Sequence, residues 1–303
     1  MKMVIKSNII KKEKIVSKTE WFNYIDELKK ESKSLIKLNE KEAIKILSED
    51  FINAIKSRIP NKKFGIFFSG GVDSTLISYL CQKYAKDFVC YTVGIEGSQD
   101  LEVSKKVAKT LKLNQVTKTL TLIEMENLFE ETSKILGPDL TNIVNLGVGA
   151  VELAAIKLAK KDNIDIFFGG LGSEEIYAGY NRHEKSENID EECWNGLKST
   201  YERDFLRDVA IATATKTKFL TPFLDRQLII NSMRVPSTLK INKGLKKYII
   251  RKVALDLGLD EEYAFRPKKA AQYGSNFDKA ILKITKSHGF KFKREYLEFL
   301  KSK

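Results

Sequence analysis

Residues 64–74 read FGIFFSGGVDS, and this stretch decides the fold. Its first five residues form a short apolar run that is typical of a buried strand. Ser69–Ser74 then form a glycine-containing turn, and a helical pattern of apolar residues continues to Tyr84. Glycines let the backbone curl tightly towards a ligand, and a helix N-terminus offers free N–H groups to an anion. The stretch therefore predicts a strand–turn–helix unit that binds an anion such as phosphate.

Apolar runs and helical patterns continue to alternate along the chain. Further apolar runs at residues 88–95, 115–120 and 164–168 predict strands, and helical patterns lie between them. Strands that alternate with helices form parallel sheets that are covered on both faces. We therefore predict the α/β class, with a Rossmann-like parallel sheet and flanking N- and C-terminal helices. Ligands of such sheets bind outside the carboxyl ends of the strands, where the turns beginning at Ser69 and Gly169 both fall.

The charge of the chain is positive and unevenly distributed. Its 303 residues include 53 Lys and Arg against 40 Asp and Glu, and 43% are hydrophobic, which excludes a disordered or low-complexity chain. Between Lys240 and Lys303 there are 17 basic and 7 acidic residues. This surplus predicts a phosphate, an acidic substrate or a nucleic acid as partner. A lysine-rich surface without such a partner is the alternative, because only 9 of the 53 basic residues are Arg.

The cysteines and the N-terminal stretch indicate in which cellular compartment the protein is expected. Cys81, Cys90 and Cys193 form no CxxC pair, and an odd, sparse count fits a reducing cytoplasm. Lysines interrupt the apolar residues of the first 16 positions, so we expect no signal peptide. The apolar stretch 143–159 contains polar residues and is too short for a membrane span. We expect a cytoplasmic protein with no membrane partner.

Asp73 gives the first turn its chemical character. Ser69 and Ser74 supply hydroxyl donors, but a carboxylate would repel a bare phosphate. The role that fits Asp73 is to hold a Mg²⁺ ion that itself binds phosphate oxygens. The turn lacks the GxxxxGK[ST] pattern of a Walker A loop. An ordinary glycine-containing turn between strand and helix is the alternative.

The motif SGGVDS after a strand resembles the PP-loop of the N-type ATP pyrophosphatases. The rest of the chain is similar to the synthetase domain of asparagine synthetase and of its relative β-lactam synthetase. The matches run in family order from about residue 40 to 275. They are Tyr91–Ile95 followed by Gly97–Asp100, Gly170–Tyr180, Pro222–Asp225, Lys247 with Arg251, and Arg266–Lys269.

This resemblance implies an enzyme that cleaves ATP between the α and β phosphates, adenylates a substrate oxygen and releases pyrophosphate. The implied metal ligands are Asp73 and Glu174 for Mg²⁺, and the implied catalytic residues are Lys247 and Arg251, which stabilise phosphate charge. The implied nucleotide-binding residues are Ser69, Gly70, Gly71, Asp73, Ser74, Val93, Gly94, Gly170, Gly172, Ser173 and Lys268. The alternatives are a solvated helix start for Glu174 and a solvated basic face for Lys247, Arg251 and Lys268.

The resemblance also divides the chain into three parts. A helix from about Glu20 to Leu35 precedes a second helix, for which Asn39 and Glu42 form a capping-box pattern. The parts are an N-terminal helical lead-in (1–60), a PP-loop nucleotide-binding α/β domain (61–235) and a basic C-terminal helical region that completes the active site (236–303). Asp225 and Arg226 are expected to serve structure, and His183 and His288 to be surface or packed residues.

The sequence departs from the family at residues that would handle the acceptor, which is the substrate that is adenylated, and the attacking ammonia. Leu171 stands where asparagine synthetases carry a Glu implicated in handling ammonia, and Lys218–Leu220 replaces a Glu-x-Arg. Glutamine-dependent members carry Cys at position two as the glutaminase nucleophile, whereas this sequence has Lys2. We therefore expect ammonia to arrive free, through a separate ammonia-supplying protein, or through a different nucleophile.

The sequence thus predicts an AMP-forming ligase of the asparagine-synthetase type without its glutaminase domain. Its cofactors would be ATP and Mg²⁺, and its partner a small-molecule acceptor, for which aspartate is one candidate. A PP-loop enzyme that modifies tRNA is the second choice, because the basic C-terminal region could bind a phosphate backbone. A non-catalytic ATP-binding protein is the third.

Overall fold

The structure is a computed structural model that describes residues 10–11, 14–85, 87–266 and 270–303. The predicted residue Lys268 lies outside these ranges. In chain order the strands of the described residues are β1 (Ile10–Lys11), β2 (Lys14–Ile15), β3 (Phe64–Phe67), β4 (Phe88–Ile95), β5 (Gln115–Leu120), β6 (Ile166–Phe168), β7 (Lys218–Leu220), β8 (Ile241–Asn242) and β9 (Leu245–Lys246).

Helices account for most of the remaining described chain. They are α1 (Lys18–Ser34), α2 (Glu40–Lys56), α3 (Val72–Tyr84), α4 (Gln99–Thr110), α5 (Leu122–Leu140), α6 (Ile143–Ala159), α7 (Ser173–Ile176), α8 (Asn181–Lys185), α9 (Ile189–Thr200), α10 (Leu206–Thr215), α11 (Arg226–Met233), α12 (Ser237–Lys240), α13 (Tyr248–Asp256), α14 (Glu261–Ala264), α15 (Ala271–Gly274), α16 (Phe277–Ser287) and α17 (Lys293–Ser302). None of these helices has the length and apolarity that crossing a membrane requires.

The central element is a five-stranded parallel sheet with the strand order β5-β4-β3-β6-β7. In the middle strand, Ile66 pairs with Cys90 of β4 on one side and with Phe168 of β6 on the other. This confirms the predicted α/β class with a parallel sheet. Strand β7 was not predicted, because three residues are too few to show an alternating pattern.

Helices cover both faces of this sheet. Alternate residues of a strand point to opposite faces, so Phe168 belongs to one core and Phe167 to the other. Helices α1, α2, α3, α11 and α13 contribute buried apolar residues to the first core. Helices α5, α6, α16 and α17 contribute them to the second. The N-terminal helices and the last two helices thus flank the sheet, as predicted, and they do so from opposite sides.

Local capping explains where several helices begin. Asn39 and Glu42 form the predicted capping box at the start of α2, with each side chain accepting from the other residue's backbone N–H at 3.0 Å. Helix α5 has a kink near its end, because Gly137 has a φ of 69° and Pro138 follows it. The hairpin of β8 and β9 was not predicted from the basic C-terminal sequence.

The sheet order creates a crevice at the carboxyl ends of the strands. The chain continues from β3 to its neighbour β4 on one side, whereas β6 and β7 lie on the other side. The loops that leave β3 and β6 therefore diverge at a topological switch point, where ligands of such sheets bind. Both glycine-rich turns lie at this point, since α3 begins at Val72 and α7 begins at Ser173.

Candidate active site

The first turn is held by its own serines. The Ser74 hydroxyl accepts from the Ser69 backbone N–H at 3.3 Å and donates to the Gly71 carbonyl at 3.2 Å. Gly70 has a φ of 68°, and a Cβ there would lie 3.0 Å from the Cα of Ser104. Only glycine suits this position, because other residues are strained at that φ and the facing backbone leaves no room.

Asp73 lies in the first turn of α3 and is buried. Its Oδ1 accepts a hydrogen bond from the Ser173 hydroxyl at 2.7 Å. Its Oδ2 accepts one from the Lys247 amine, also at 2.7 Å. The first turn, the second turn and the C-terminal region are therefore joined through this carboxylate.

The second turn places a second carboxylate beside the first. Gly172 has a φ of 96°, and a Cβ there would lie 2.6 Å from Leu224, so this turn also requires glycine. The turn leads into α7, and Glu174 in its first turn lies with Oε1 2.8 Å from the Lys247 amine. The side chain of Glu174 is 22% exposed. Glu174 and Asp73, the two implied metal ligands, thus lie on opposite sides of the Lys247 amine at the switch point.

Lys247 is the centre of the cluster. It lies between the β8–β9 hairpin and helix α13, with a φ of 59°. Its amine contacts the Ser173 hydroxyl at 3.1 Å in addition to both carboxylates, and its side chain is only 4% exposed. A buried ammonium held between two carboxylates is strongly fixed in position. It is not the solvated basic residue of the alternative interpretation.

The donor set of this cluster fits Mg²⁺. Carboxylate oxygens are the ligands that Mg²⁺ takes from proteins, and Asp73 and Glu174 already converge on one cation, the Lys247 ammonium. Over the described ranges, no group of three or more His, Cys, Asp or Glu could hold a metal. A bound Mg²⁺ would therefore take its remaining ligands from phosphate oxygens and water, as is usual for Mg²⁺ in nucleotide sites.

Arg251 lies one helical turn after Lys247, but its hydrogen bonds go to the backbone. Its Nε donates to the Lys246 carbonyl at 3.0 Å, and one terminal nitrogen donates to the carbonyls of Ala264 (2.7 Å) and Arg266 (3.1 Å). Burial lowers the pKa of this guanidinium. In this conformation Arg251 positions the chain on either side of α13, and its contact with phosphate stays a prediction.

A cavity of about 230 Å³ opens at the carboxyl ends of the strands. Val93 of β4 lines it, and the neighbouring Gly94 has no space for a side chain, since a Cβ would lie 2.3 Å from the Ser98 hydroxyl. The structure therefore brings most of the predicted nucleotide-binding residues together. Those that line this cavity are Ser69, Gly71, Asp73, Ser74, Val93 and Gly170.

A second, larger cavity of about 920 Å³ adjoins the cluster. Glu174 and Lys247 line it, whereas Asp73 lines the smaller cavity, so the ion pair between Asp73 and Lys247 lies at the boundary of the two. The other basic residues of its lining are Arg182, Lys246, Arg251 and Lys279. Part of the basic surplus of the C-terminal region thus faces this cavity.

The sequence did not indicate a group of charged residues in the smaller cavity. Glu152 of α6 lines it together with Arg207 and Asp208 of α10. Two nitrogens of the Arg207 guanidinium donate hydrogen bonds to Asp208, Nε at 2.9 Å and a terminal nitrogen at 2.6 Å. Burial is the main cause that raises the pKa of Asp208, to about 6. The sequence carried one signal of this group, a Glu within the apolar stretch 143–159.

The residues assigned a structural role are packed as predicted. Asp225 accepts from the backbone of Gln227 at 3.0 Å at the start of α11 and binds the buried Arg58 at 2.9 Å. His183 is completely buried, and its Nδ1 accepts from the Tyr180 N–H at 3.1 Å. His288 contacts Glu126 on α5.

These observations define an α/β protein of the PP-loop type, with the SGGVDS turn at the switch point of its parallel sheet. A profile of the family "Asparagine synthase" matches residues 47–189 and 183–288, which is most of the chain. The chain therefore belongs to the asparagine synthase family.

Individual relatives show the same similarity. The putative asparagine synthetase [glutamine-hydrolyzing] 1 of Methanocaldococcus jannaschii is 31% identical over 303 residues, covering 86% of this chain and 55% of the relative. The human asparagine synthetase [glutamine-hydrolyzing] is 28% identical, covering 82% and 45%. The chain spans about half the length of the curated relatives it matches. Among solved structures, NMN synthetase from Francisella tularensis is similar over 88% of this chain and 94% of its own, with a TM-score of 0.44 and 13% identity.

Proposed function

We propose that the protein is an ATP-dependent ligase that forms AMP and pyrophosphate. An oxygen of a small acceptor would attack the α-phosphorus of ATP, pyrophosphate would leave, and an amine or ammonia would then displace AMP from the adenylated acceptor. The observation that carries this proposal is the cluster of Asp73, Glu174 and Lys247 at the switch point of the sheet, with Lys247 within 2.8 Å of both carboxylates.

The first turn supports binding of the phosphates. The N-terminus of α3 directs backbone N–H groups and a positive helix dipole towards the crevice. Ser69 and Ser74 add hydroxyl groups at the same place. Val93 and Gly94 lie on the neighbouring strand β4, where their backbone would meet the adenine.

Lys247 has the charge that the departing pyrophosphate needs. An ammonium fixed in a buried site stabilises developing negative charge without reorganisation during the reaction. Asp73 and Glu174 hold that ammonium in place, and they are the residues that would hold Mg²⁺. When bound, Mg²⁺ would neutralise phosphate charge and so favour loss of pyrophosphate. Arg251 would position the chain that follows α14.

The acceptor is expected to be a small carboxylic acid or amide. Aspartate is the first acceptor to test, because the relatives named above are asparagine synthetases. Leu171 lines the smaller cavity and has no carboxylate, whereas Glu152 and Asp208 lie in the same cavity. The side chains that contact the acceptor therefore differ from those that the family resemblance implies.

Exchange of labelled pyrophosphate into ATP tests the proposal. Purified protein is assayed with aspartate, with other small carboxylic acids and with bulk tRNA, each in the presence of Mg²⁺. We expect exchange with at least one small acid, and we expect Asp73→Asn to lower it at least 100-fold, about 3 kcal/mol of transition-state stabilisation. Asp26→Asn, which changes an exposed carboxylate of α1, is the matched control. Full activity of Asp73→Asn would disprove the role given to this residue.

A PP-loop enzyme that modifies tRNA is the second candidate. The basic lining of the larger cavity favours it, since Arg182, Lys246 and Lys279 face one open space. This candidate predicts exchange with tRNA alone and a steep loss of binding as salt is raised. ATP binding without exchange by any acceptor would instead support a non-catalytic nucleotide-binding protein.

A further inference from the structure

A basic surface begins at the rim of the larger cavity and continues beyond it. Lys279, in the first turn of α16, lines that cavity. Lys283 and Lys286 follow at spacings of four and three residues, so the three lysines lie on one face of the helix. Because an α-helix rises 1.5 Å per residue, this row extends about 10 Å along α16. It therefore leads away from the cavity over the surface of the protein.

These three lysines have no counter-charge of their own. All three are exposed, and none takes part in an ion pair or a side-chain hydrogen bond over the described ranges. The sequence from residue 279 to residue 294 contains six Lys or Arg and no Asp or Glu. A row of unpaired cations attracts a ligand that carries several negative charges.

The start of α17 brings further cations to the same place. Lys293 Nζ lies 2.5 Å from Oδ1 of Asp278, which lines the larger cavity beside Lys279. The residues on either side of Lys293 therefore lie near the first turn of α16. Among them, Lys291 and Arg294 are exposed and have no ion-pair partner within the described part of the chain. Two basic elements thus meet at this rim of the cavity.

Exposed aromatic rings are an independent observation at this surface. Phe292 is 47% exposed, and its ring centroid lies 5.4 Å from Lys291 Nζ and 5.1 Å from Arg294 Cζ. Tyr273, which lines the larger cavity, is 52% exposed. Proteins that bind single-stranded nucleic acids combine such rings with cations, because bases stack on the rings while phosphates contact the cations. The aromatic rings therefore indicate a ligand with bases as well as negative charge.

The shape of the surface favours a flexible strand over a lipid bilayer. The apolar face of α16, with Phe277, Ile281 and Ile284, is buried in the second core, so it has no apolar stripe to insert into lipid. The larger cavity is a recess of about 920 Å³, which a planar surface does not enter. A single strand can bend into it. RNA is the nucleic acid that presents single-stranded loops and ends to proteins.

We propose that this surface, the basic rim, binds single-stranded RNA and that the larger cavity receives a loop or an end of the strand. The basic rim consists of five cations and one exposed ring, namely Lys279, Lys283, Lys286, Lys291, Phe292 and Arg294. Its cations contact phosphates, which supply most of the affinity, and the ring of Phe292 stacks on a base. The inference does not rest on the proposed function, because this binding requires neither ATP nor an acceptor.

Fluorescence anisotropy with a labelled single-stranded RNA of about 12 nucleotides tests the charge of the basic rim. A triple variant with Gln at the three lysines of α16 should bind at least tenfold more weakly. Its plot of log K against log salt should be shallower by about 2, since each phosphate contact with a single strand contributes about 0.7 to the slope. The matched control removes three exposed lysines from α4, namely Lys105, Lys106 and Lys109. An equal loss of affinity in both triple variants would overturn the proposal, because net charge alone would then explain the binding.

Substitution of the exposed ring tests stacking separately from charge. Phe292→Ala should weaken RNA binding at least fivefold and leave the salt dependence unchanged, because a stacked base is lost and no phosphate contact is. Phe292→Tyr retains a ring and should bind as the wild type does. Wild-type affinity in Phe292→Ala would disprove the stacking and, with it, the argument for a nucleic acid.

Three competitors distinguish RNA from other partners of the basic rim. They are a duplex of the same RNA, polyglutamate, and vesicles that contain phosphatidylserine. We expect the single strand to bind most tightly. Equal competition by polyglutamate at equal charge would overturn the proposal in favour of an acidic protein, and tight binding to vesicles without binding to RNA would overturn it in favour of a membrane. Failure of pyrophosphate exchange in a protein that binds RNA would disprove only the ligase function.

Discussion

The amine of Lys247 lies 2.7 Å from the carboxylate of Asp73, a residue 174 positions earlier in the chain. Both side chains are almost completely buried, at 4% and 5% exposure. The contact joins the helix that follows the central strand to the C-terminal region of the protein. The basic C-terminal part of the sequence therefore contributes directly to the turn that decides the fold.

Lys247→Met keeps the length of the side chain and removes its charge. We expect exchange to fall at least 100-fold, about 3 kcal/mol, because the ammonium no longer stabilises the leaving pyrophosphate. We also expect a loss of about 3 kcal/mol in the free energy of unfolding, because the buried carboxylate of Asp73 and the partly buried carboxylate of Glu174 lose a cation that contacts both. Urea denaturation measures this loss, and Lys252→Met on the same helix should leave both quantities near their wild-type values.

Gly179→Ala tests how closely the backbone encloses the cluster. A Cβ at this position would lie 1.7 Å from Glu174 Oε2 and 2.5 Å from Lys247 Cε, so both side chains must move. We expect exchange to fall at least tenfold and stability to fall by about 1 kcal/mol. Gly289→Ala is the control for stability, since it introduces strain at a φ of 77° with no atom within 4 Å. If both variants lose stability equally and neither loses activity, the enclosure has no catalytic consequence.

Arg251→Lys separates positioning from charge. The guanidinium reaches three carbonyls, those of Lys246, Ala264 and Arg266, which a single amine cannot span. We expect a loss of about 2 kcal/mol in the free energy of unfolding and an increase of about tenfold in the Kd for ATP. Calorimetric ATP binding and urea denaturation measure the two effects. An unchanged stability together with a lower kcat would instead assign Arg251 to the phosphate.

The buried His183 predicts a dependence of stability on pH. Burial lowers its pKa from 6.5 to about 4, so the unfolded chain binds a proton more readily than the folded protein does. Its contribution to stability is therefore complete above pH 6.5 and is lost as the pH falls towards 4. Relative to His183→Asn, the wild type should lose about 2 kcal/mol of unfolding free energy between pH 7 and pH 5. Acids with a raised pKa, such as Glu175, act in the opposite sense but are common to both proteins.

The sheet and the first turn could be predicted because their signals are local. Residues 64–74 carry a complete strand–turn–helix pattern, and the strand pattern of residues 88–95 is equally continuous. Strand β7 and the β8–β9 hairpin could not be predicted in this way, since each strand has only two or three residues and is held by its partner. Their existence depends on tertiary pairing rather than on the local pattern.

The candidate site, like the sheet, could be predicted only where its signals are local. The residue types of Asp73, Glu174 and Lys247 could be read from motifs, but their mutual contacts depend on the whole fold. Glu152 and Asp208 belong to no motif, and only the packing of α6 against α10 brings them into the cavity of the first turn. The charge arrangement of this cavity wall is therefore information that only the folded chain provides.

The backbone of Lys247 has a consequence for protein engineering. Its φ of 59° lies in the left-handed region, which costs a non-glycine residue about 1 kcal/mol relative to glycine. Lys247→Gly should therefore be more stable than Lys247→Ala, although both lack the ammonium. Lysine at this position therefore carries a backbone cost of about 1 kcal/mol, which its buried contacts with Asp73 and Glu174 more than offset.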